Sequence, residues 1–92
     1  MEISYDPAKR VATLEERGLD FIDAQEVFGG PLFELEDDRF DYGEKRYITI
    51  GLLRGRMVVL VWTPRGEARH IISIRKANER EQARFKSRIG WS

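Results

Sequence analysis

Residues 57–63 read "MVVLVWT", a nearly continuous apolar run in a chain of 92 residues. A run of this kind, without polar residues at alternate positions, is typical of a β-strand that is buried on both faces. We therefore predict a central strand at this position. Other parts of the chain are expected to cover both of its faces.

The segments on either side of this run also have the pattern of strands. Residues 46–53, "RYITIGLL", alternate so that the isoleucines and Leu52 share one face, and the short turn "RGR" joins them to the central run. On the other side, the turn "PRGE" leads to "ARHIISIR", residues 68–75. Three adjacent runs joined by short glycine-containing turns predict an antiparallel meander. Residues 32–37, "LFELED", alternate as a further strand, and "EISY" at residues 2–5 is a possible edge strand.

Two helices are predicted before the meander. Residues 6–18 begin with Asp6 as a cap and Pro7 at the first helical position, and Gly18 can end the helix in the left-handed conformation. Residues 19–31, "LDFIDAQEVFGGP", repeat this pattern, with Asp20 as the cap and the two glycines as the stop.

A third helix is predicted after the meander, over residues 78–89, "NEREQARFKSRI". Asn78 and Glu81 have the spacing of a capping box. Phe85 and Ile89 are its only large apolar residues, and they lie one turn apart. The chain is therefore predicted to be one α+β domain over residues 1–92. Its small antiparallel sheet has about four strands, packed with two N-terminal helices and one C-terminal helix.

Composition narrows the class of protein. The chain has no cysteine, so disulfides and thiolate metal sites are excluded, and a reducing cytoplasm is the expected location. No apolar run approaches the roughly 20 residues of a membrane-spanning helix. The N-terminal residues lack the basic-then-apolar order of a signal peptide. These features predict a soluble cytoplasmic protein.

Charge is distributed unequally along the chain, although its formal net charge is zero. Residues 1–44 contain thirteen acidic and four basic residues, whereas residues 45–92 contain three acidic and twelve basic residues. Such asymmetry indicates a polyanionic or acidic partner for the basic half. The alternative is that the two halves neutralise each other within the fold.

Several arginines surround the last strand of the meander. Strict alternation along "ARHIISIR" places Arg69, Ser73 and Arg75 on one face, and Arg65 in the preceding turn can join them. A guanidinium group suits phosphate because its planar fork makes two parallel hydrogen bonds and keeps its charge at any working pH. We therefore expect these arginines to converge on an anion. The alternative is a set of solvated strand residues.

Other candidate groups are weaker. Alternation places His70, the only histidine, beside Ile72 and Ile74 on the apolar face, which indicates a structural role. The carboxylates of "ELEDDRFD", residues 34–41, lack the glycine-centred spacing of a calcium loop, so no metal site is predicted. Glu79 or Glu81 of the last helix could serve as a base, although their spacing first supports capping and ion pairs within the helix.

Five segments carry a family resemblance, in this order: "DPAK", "RGLDFIDAQEVF", "YGEKRYITIG", "TPRG" and "RHIISIRKANERE". Together they resemble the BrnT family of toxins of type II toxin–antitoxin systems, over nearly the whole chain. The resemblance implies a fold like that of RelE-type ribonucleases. It also implies metal-independent RNA cleavage that inhibits translation, without a cofactor.

The resemblance further implies a partner. It is an antitoxin of the BrnA type, a ribbon-helix-helix protein that neutralises the toxin and binds operator DNA in a hetero-oligomeric complex.

The resemblance also gives the arginines a role, which is stabilisation of the charge that develops on the scissile phosphate. On this basis Arg65, Arg69 and Arg75 are the expected catalytic residues, with Glu79 as a candidate base. Arg46, Lys76 and Ser73 are the expected additional RNA contacts. The alternatives are a non-catalytic module that binds RNA or protein, and a degenerate, inactive toxin.

Overall fold

The computed structural model describes residues 2–90, so the predicted domain limits of 1 and 92 lie outside the described residues. Five strands form one sheet in the order β1-β5-β4-β3-β2. The strands are β1 (Glu2–Tyr5), β2 (Leu32–Glu36), β3 (Tyr47–Leu53), β4 (Arg56–Arg65) and β5 (Ala68–Lys76). The helices are α1 (Pro7–Arg17), α2 (Ala24–Phe28), which follows a 3₁₀ turn at Phe21–Asp23, and α3 (Glu79–Phe85).

The α+β class and the three helices are confirmed, but the observed sheet has five strands rather than about four and is mixed rather than purely antiparallel. The segment at residues 2–5 is a full member of the sheet, because β1 pairs with β5 from Glu2↔Ala68 to Tyr5↔Ile71. This pairing is parallel. Parallel neighbours require a long connection, and the elements from α1 to β4 provide it between β1 and β5. The other neighbouring strands are antiparallel.

Strand β4 is central and buried on both faces, as its sequence predicts. The face covered by α1, the 3₁₀ turn and α2 is called the helical face, and there Val58, Leu60 and Trp62 enter the larger core. The opposite face, which α3 covers in part, is called the α3 face, and there Met57 and Val59 enter the smaller core. The predicted burial of β4 on both sides is therefore confirmed.

The hairpin between β3 and β4 turns on two residues, Arg54 and Gly55, both with positive φ (51° and 78°). Two positive φ values in a two-residue loop define the turn that matches the right-handed twist of a hairpin. This geometry fixes the register Leu53↔Arg56. The alternation in β3 then places Ile48, Ile50 and Leu52 together on the α3 face, as predicted.

The helix caps follow the sequence prediction. The Asp6 carboxylate accepts a hydrogen bond from the Ala8 N–H, and Gly18 ends α1 with φ 67°. Asn78 and Glu81 form the predicted capping box of α3. Helix α1 packs lightly, with no fully buried residue. None of the helices in the described part of the chain is long and apolar enough to cross a membrane.

The pairing of β4 with β5 contains a bulge that the sequence analysis did not predict. Val61 is opposite Ser73 and Trp62 is opposite Ile71, so Ile72 is an extra residue without a partner in β4. A bulge reverses the alternation of side chains along the strand on one side of it. Ile71 and Ile74 consequently face the same core, on the helical face. The predicted shared face for Arg69, Ser73 and Arg75 is therefore wrong.

The loop between β2 and β3 is held by one buried carboxylate. The side chain of Asp37 is only 1% exposed, and its oxygens accept hydrogen bonds from Nε and Nη2 of Arg39 and from the Tyr42 hydroxyl. The Arg39 guanidinium is the largest cause that lowers the Asp37 pKa, to about 2. The loop is thus tied to the end of the sheet by an ion pair whose carboxylate is inaccessible to solvent.

We predict that Gly51→Ala destabilises the fold. A Cβ at residue 51 would lie 2.7 Å from Cγ1 of the fully buried Val27, so α2 would have to move away from β3. Overpacking of this kind costs about 1–3 kcal/mol, measurable as a lower free energy of unfolding in urea. Gly30→Ala is the matched control, because its new Cβ meets nothing closer than 3.8 Å. Equal stability of the two variants would contradict the prediction.

We also predict that the contribution of Asp37 to stability depends on pH. Its folded pKa lies below the ordinary value of 3.8, so ionised Asp37 stabilises the fold above about pH 4. This contribution is lost as the pH falls through about 2. The difference in unfolding free energy between the wild type and Asp37→Asn should therefore be constant above about pH 5 and shrink below about pH 4. Asp38→Asn, in the same loop, is the control and should differ little from the wild type at each pH.

Candidate functional site

Part of the α3 face is not covered by α3, and we call this part the open face. Its floor consists of one residue from each of four neighbouring strands: Leu35, Ile48, Val61 and Ser73. Leu35 is 40% exposed, and the other three are half-buried. The open face is therefore an uncovered, largely apolar surface at the centre of the sheet.

A groove of about 610 Å³ runs across the open face between its floor and α3. Charged side chains form its rim: Arg17, Arg39, Arg75, Arg84 and Glu81. Both terminal nitrogens of Arg75 donate to the two Glu81 carboxylate oxygens, each at 2.7 Å. Arg17 reaches the exposed part of β5, where its Nη1 donates to the Ile74 carbonyl. The rim therefore presents guanidinium groups around an apolar floor.

A second cavity, of about 420 Å³, lies at the other end of the open face. Six side chains with polar or charged groups line it: Asp6, Lys9, Glu44, Arg46, Arg65 and His70. Nε of Arg46 donates to Glu44 at 3.1 Å, and its guanidinium lies 4.0 Å from the centre of the Tyr42 ring. Arg65 is exposed and forms no ion pair with any residue between Glu2 and Gly90. The cavity thus contains a guanidinium without an ion-pair partner among residues 2–90.

Arg69 does not lie on the open face. It is opposite Pro64 in the ladder, and its guanidinium packs on the helical face, 4.0 Å from the centre of the Phe28 ring and 5.2 Å from that of Trp62. Its Nε is buried without a hydrogen-bond partner in the described part of the chain. Stacking on aromatic faces partly compensates such a buried cation. The predicted convergence of Arg69 with Arg75 is wrong, because the bulge at Ile72 separates them onto opposite faces.

Arg65 and Arg75 share the α3 face but lie far apart along it. Arg75 is opposite Val59, six residues before Arg65 in β4. At about 3.3 Å per residue, their Cα atoms are separated by roughly 20 Å. One phosphate group cannot bridge this distance, so the two arginines serve the two different cavities.

The other predicted residues are divided between the two faces. Ser73 lines the groove and Arg46 lines the second cavity. Lys76 is opposite Val58, on the opposite face to Arg75, and lies near Gly55 at the far end of the sheet. Glu79 is exposed in the first turn of α3, whereas Glu81 is the carboxylate that reaches the groove.

Glu81 is held in its ionised form. The hydrogen bonds from Arg75 are the largest cause of its lowered pKa, and its carboxylate also accepts from the Asn78 N–H of the capping box. The Glu81 carboxylate in turn raises the Arg75 pKa. A carboxylate with these partners is a weak proton acceptor. Its first role in this geometry is to orient Arg75.

His70, like Arg69, lies on the face opposite to the one that strict alternation predicts. The bulge places it opposite Thr63 on the α3 face, where it lines the second cavity with Arg65. Burial, followed by the charge of Arg65, lowers its pKa. The sequence does contain a signal for the bulge, since apolar residues at 71, 72 and 74 do not fit one continuous alternation.

Chemically, the open face combines an apolar floor with arginines at both ends. An arrangement of this kind suits a chain of several linked phosphates, whose sugars and bases pack on the floor between the charges. Within residues 2–90, no three histidine, aspartate or glutamate side chains converge in a way that could hold a metal ion.

Comparison with known proteins agrees with this chemistry. The family model described as "Ribonuclease toxin, BrnT, of type II toxin-antitoxin system" matches residues 5–81. A search of curated proteins gives no significant match. The matched region contains α1, α2, all of β2 to β5 and the start of α3, and therefore most of both cavities. The chain belongs to the BrnT family of ribonuclease toxins of type II toxin–antitoxin systems.

Proposed function

We propose that the protein is a metal-independent endoribonuclease that cleaves RNA on the open face and thereby inhibits translation. The observation that carries the proposal is Arg65, an exposed guanidinium without an ion-pair partner among residues 2–90. It lies beside Arg46 in a cavity of a chain that belongs to a ribonuclease toxin family. An exposed arginine without an ion-pair partner, beside an open apolar surface, is available to a phosphate group of a substrate.

In the proposed reaction the ribose 2′-oxygen attacks the adjacent phosphorus atom and the 5′-oxygen leaves. Negative charge increases on the non-bridging phosphate oxygens as the new bond forms. Arg65 donates hydrogen bonds to these oxygens, and Arg46, held by Glu44 and stacked on Tyr42, supplies a second positive charge. Donors that are fixed before the reaction stabilise the transition state without reorganisation. The scissile phosphate is therefore assigned to the cavity of Arg65.

The groove binds the neighbouring nucleotides. Arg75 is roughly 20 Å from Arg65 along the strands, too far for the same phosphate but within reach of a phosphate further along the RNA. Ser73 and Val61 lie in the floor between them. Arg75 therefore contributes mainly to substrate affinity, and Arg65 to the chemical step.

Arg69 has a structural role in this proposal. Its guanidinium stacks on Phe28 and near Trp62, and Trp62 in turn donates through Nε1 to Thr49. The Thr49 hydroxyl donates to Glu34. Arg69 covers the edge of this aromatic and polar cluster on the helical face. It stabilises the strand that carries His70 and Arg75 rather than contacting RNA.

The proposed partner is an antitoxin of the BrnA type, a ribbon-helix-helix protein. Family membership supports an antitoxin in general. We propose that the complex is a hetero-oligomer that binds operator DNA through the antitoxin, and that both proteins act in the cytoplasm. We also propose that the fold of the toxin is RelE-like. Co-expression with the protein from the adjacent reading frame, followed by co-purification, tests this assignment.

We predict that Arg65→Ala reduces RNA cleavage by about 10²–10³-fold in kcat, as expected for loss of one transition-state donor. The measurement uses purified protein and end-labelled RNA in EDTA. Arg56→Ala is the matched control: it removes an exposed arginine from the other end of the same strand, far from the cavity. It should cleave at the wild-type rate.

Three results with the wild-type protein would contradict the proposed function in different ways. Wild-type protein that binds RNA without cutting it would favour a non-catalytic binding module. Cleavage only after addition of a divalent cation would refute metal independence. Unimpaired growth and protein synthesis in cells that express the wild type without antitoxin would favour an inactive toxin.

We predict opposite consequences for the two arginines of β5. Arg75→Ala should raise KM by about tenfold or more, the usual loss when a charge-assisted contact of 1.5–3 kcal/mol is removed, and should leave stability little changed. Arg69→Ala should lower the free energy of unfolding, because it removes the cation stacked on Phe28, and should leave KM near the wild-type value. Urea unfolding and steady-state cleavage of the same preparations measure both effects. A larger activity loss in a fully stable Arg69→Ala would refute its structural role.

A further inference from the structure

We propose that His70 is the proton acceptor in the cleavage reaction, taking the proton of the ribose 2′-hydroxyl through Nε2. This inference rests on the proposed ribonuclease function and names the group that starts the chemistry at the Arg65 cavity. It goes against strict alternation in the sequence, which would bury His70 beside Ile72 and Ile74. The position of the imidazole in the tertiary structure is the reason for the assignment.

The bulge at Ile72 gives His70 its position. Because Ile72 has no partner in β4, His70 is opposite Thr63 and faces the same side of the sheet as Arg65, two residues further along that strand. Both side chains line the cavity of about 420 Å³. A proton acceptor and a phosphate-stabilising donor therefore share one concave site.

One ring nitrogen of His70 is already engaged and the other is not. Nδ1 lies 2.9 Å from the Ser4 hydroxyl oxygen, on the neighbouring parallel strand β1. When Nδ1–H donates to Ser4, the lone pair of Nε2 is available, and the same hydrogen bond persists after Nε2 takes a proton. Nε2 forms no hydrogen bond with residues 2–90. Ser4 is thus a positioning residue that holds the ring, and the proposed tautomer is the one in which Nδ1–H donates to it.

The charges around His70 come from every element that borders the cavity. They are Asp6 and Lys9 at the start of α1, Glu44 and Arg46 before β3, and Arg65 at the end of β4. Burial and Arg65 lower the His70 pKa, and Glu44 and Asp6 partly oppose this effect. Burial and Arg65 thus favour the neutral imidazole, the form in which it can accept a proton.

The other candidate bases are less suitable in this geometry. Glu81 accepts two hydrogen bonds from Arg75 and one from the backbone N–H of Asn78. Glu44 accepts from Arg46. Glu79 is exposed in the first turn of α3 and lines neither the groove nor the cavity. His70 is the candidate that combines a free proton-accepting atom with a place beside Arg65.

The proposed step balances in protons and bonds. The 2′-hydroxyl proton moves to Nε2 as the bond between the 2′-oxygen and phosphorus forms. The bond between phosphorus and the 5′-oxygen breaks, and the 5′-oxygen takes a proton from water. The products are a 2′,3′-cyclic phosphate and a 5′-hydroxyl end. The imidazolium then releases its proton to the solvent, which restores the neutral ring.

The first test is the pH dependence of kcat/KM for wild type and His70→Asn, with an RNA dinucleotide as substrate. Asparagine can keep the hydrogen bond to Ser4 but has no proton-accepting nitrogen at the Nε2 position. In the wild type, kcat/KM should rise tenfold per pH unit and level off at a pKa below the usual value of about 6.5. In the variant, the plateau should be lower by about 10²–10⁴-fold and the inflection should be absent.

His70→Gln is a second variant, in case asparagine impairs folding. Either variant with wild-type rates and the wild-type inflection overturns the role of His70, and the proposed ribonuclease function then still stands. Ser4→Ala should reduce kcat but keep the inflection, because it disturbs the orientation of the ring and leaves the base in place. Loss of the inflection in Ser4→Ala with His70 present would contradict that positioning role.

The second test observes the imidazole directly. His70 is the only histidine of the chain, so its ring proton signals in an NMR titration need no assignment by mutation. Uridine 3′-monophosphate is the probe, and its phosphate dianion should raise the His70 pKa when bound beside Arg65. The rise should be much smaller in Arg65→Ala.

A His70 signal that is unaffected by saturating nucleotide overturns the inference, whether or not the protein cuts RNA. A raised pKa in a wild type that cuts no RNA also overturns it, since His70 would then only bind anions. Absence of cleavage by the wild type would refute the proposed function as well. Cleavage by the wild type with an unaffected His70 signal would refute the His70 assignment alone.

Discussion

The structure depends on the burial of β4 on both of its faces. A strand in this position has to alternate between two apolar environments, so its sequence has few polar positions, and each sheet face needs a cover. The N-terminal helices cover the larger core on one face. The short helix α3 and the turn after it provide only a partial cover for the other, with Phe85 of α3 and Ile89 of the turn as buried anchors. The open face exists because the second cover is too short.

The bulge at Ile72 decides what this open face contains. In a regular strand, the side chain of Arg69 would lie on the α3 face and that of His70 on the helical face. With one extra residue, Ile71 and Ile74 both reach the larger core, and His70, Ser73 and Arg75 all face the α3 side. The apolar pattern of the strand and its polar side chains are thus satisfied together. Bulges beside functional sites commonly redirect side chains in this way.

Electrostatics explains why the unequal charge distribution does not simply cancel within the fold. Some ion pairs do join the two halves, such as Arg54 with Asp23 and Lys45 with Glu36, but these lie on exposed surfaces. Several acidic residues instead hold arginines of their own region, as Asp37 holds Arg39 and Glu81 holds Arg75. These pairs fix the direction of the guanidinium groups and leave their outer edges accessible. Arg65 is left without such a partner among residues 2–90, beside the only histidine.

The sequence by itself determined the elements and the family. Local signals such as Pro7, Gly18 and the Asn78–Glu81 capping box act within one turn of the chain, and the apolar run of β4 is recognisable without tertiary context. The five family segments likewise gave the ribonuclease toxin assignment, which the family match confirms. Backbone conformations of this kind are predictable, because the groups that determine them lie within a few residues of one another in the chain.

Only the tertiary structure decided which side chains share a site. A bulge arises from the fit between two strands and two cores, and its effect on all residues beyond it cannot be derived from the alternation of one strand. For this reason Arg69 was expected beside Arg75 but lies on the opposite face. His70 was expected in the core but lies beside Arg65. The parallel addition of β1, which places Ser4 against His70, likewise depends on a contact between residues 66 positions apart.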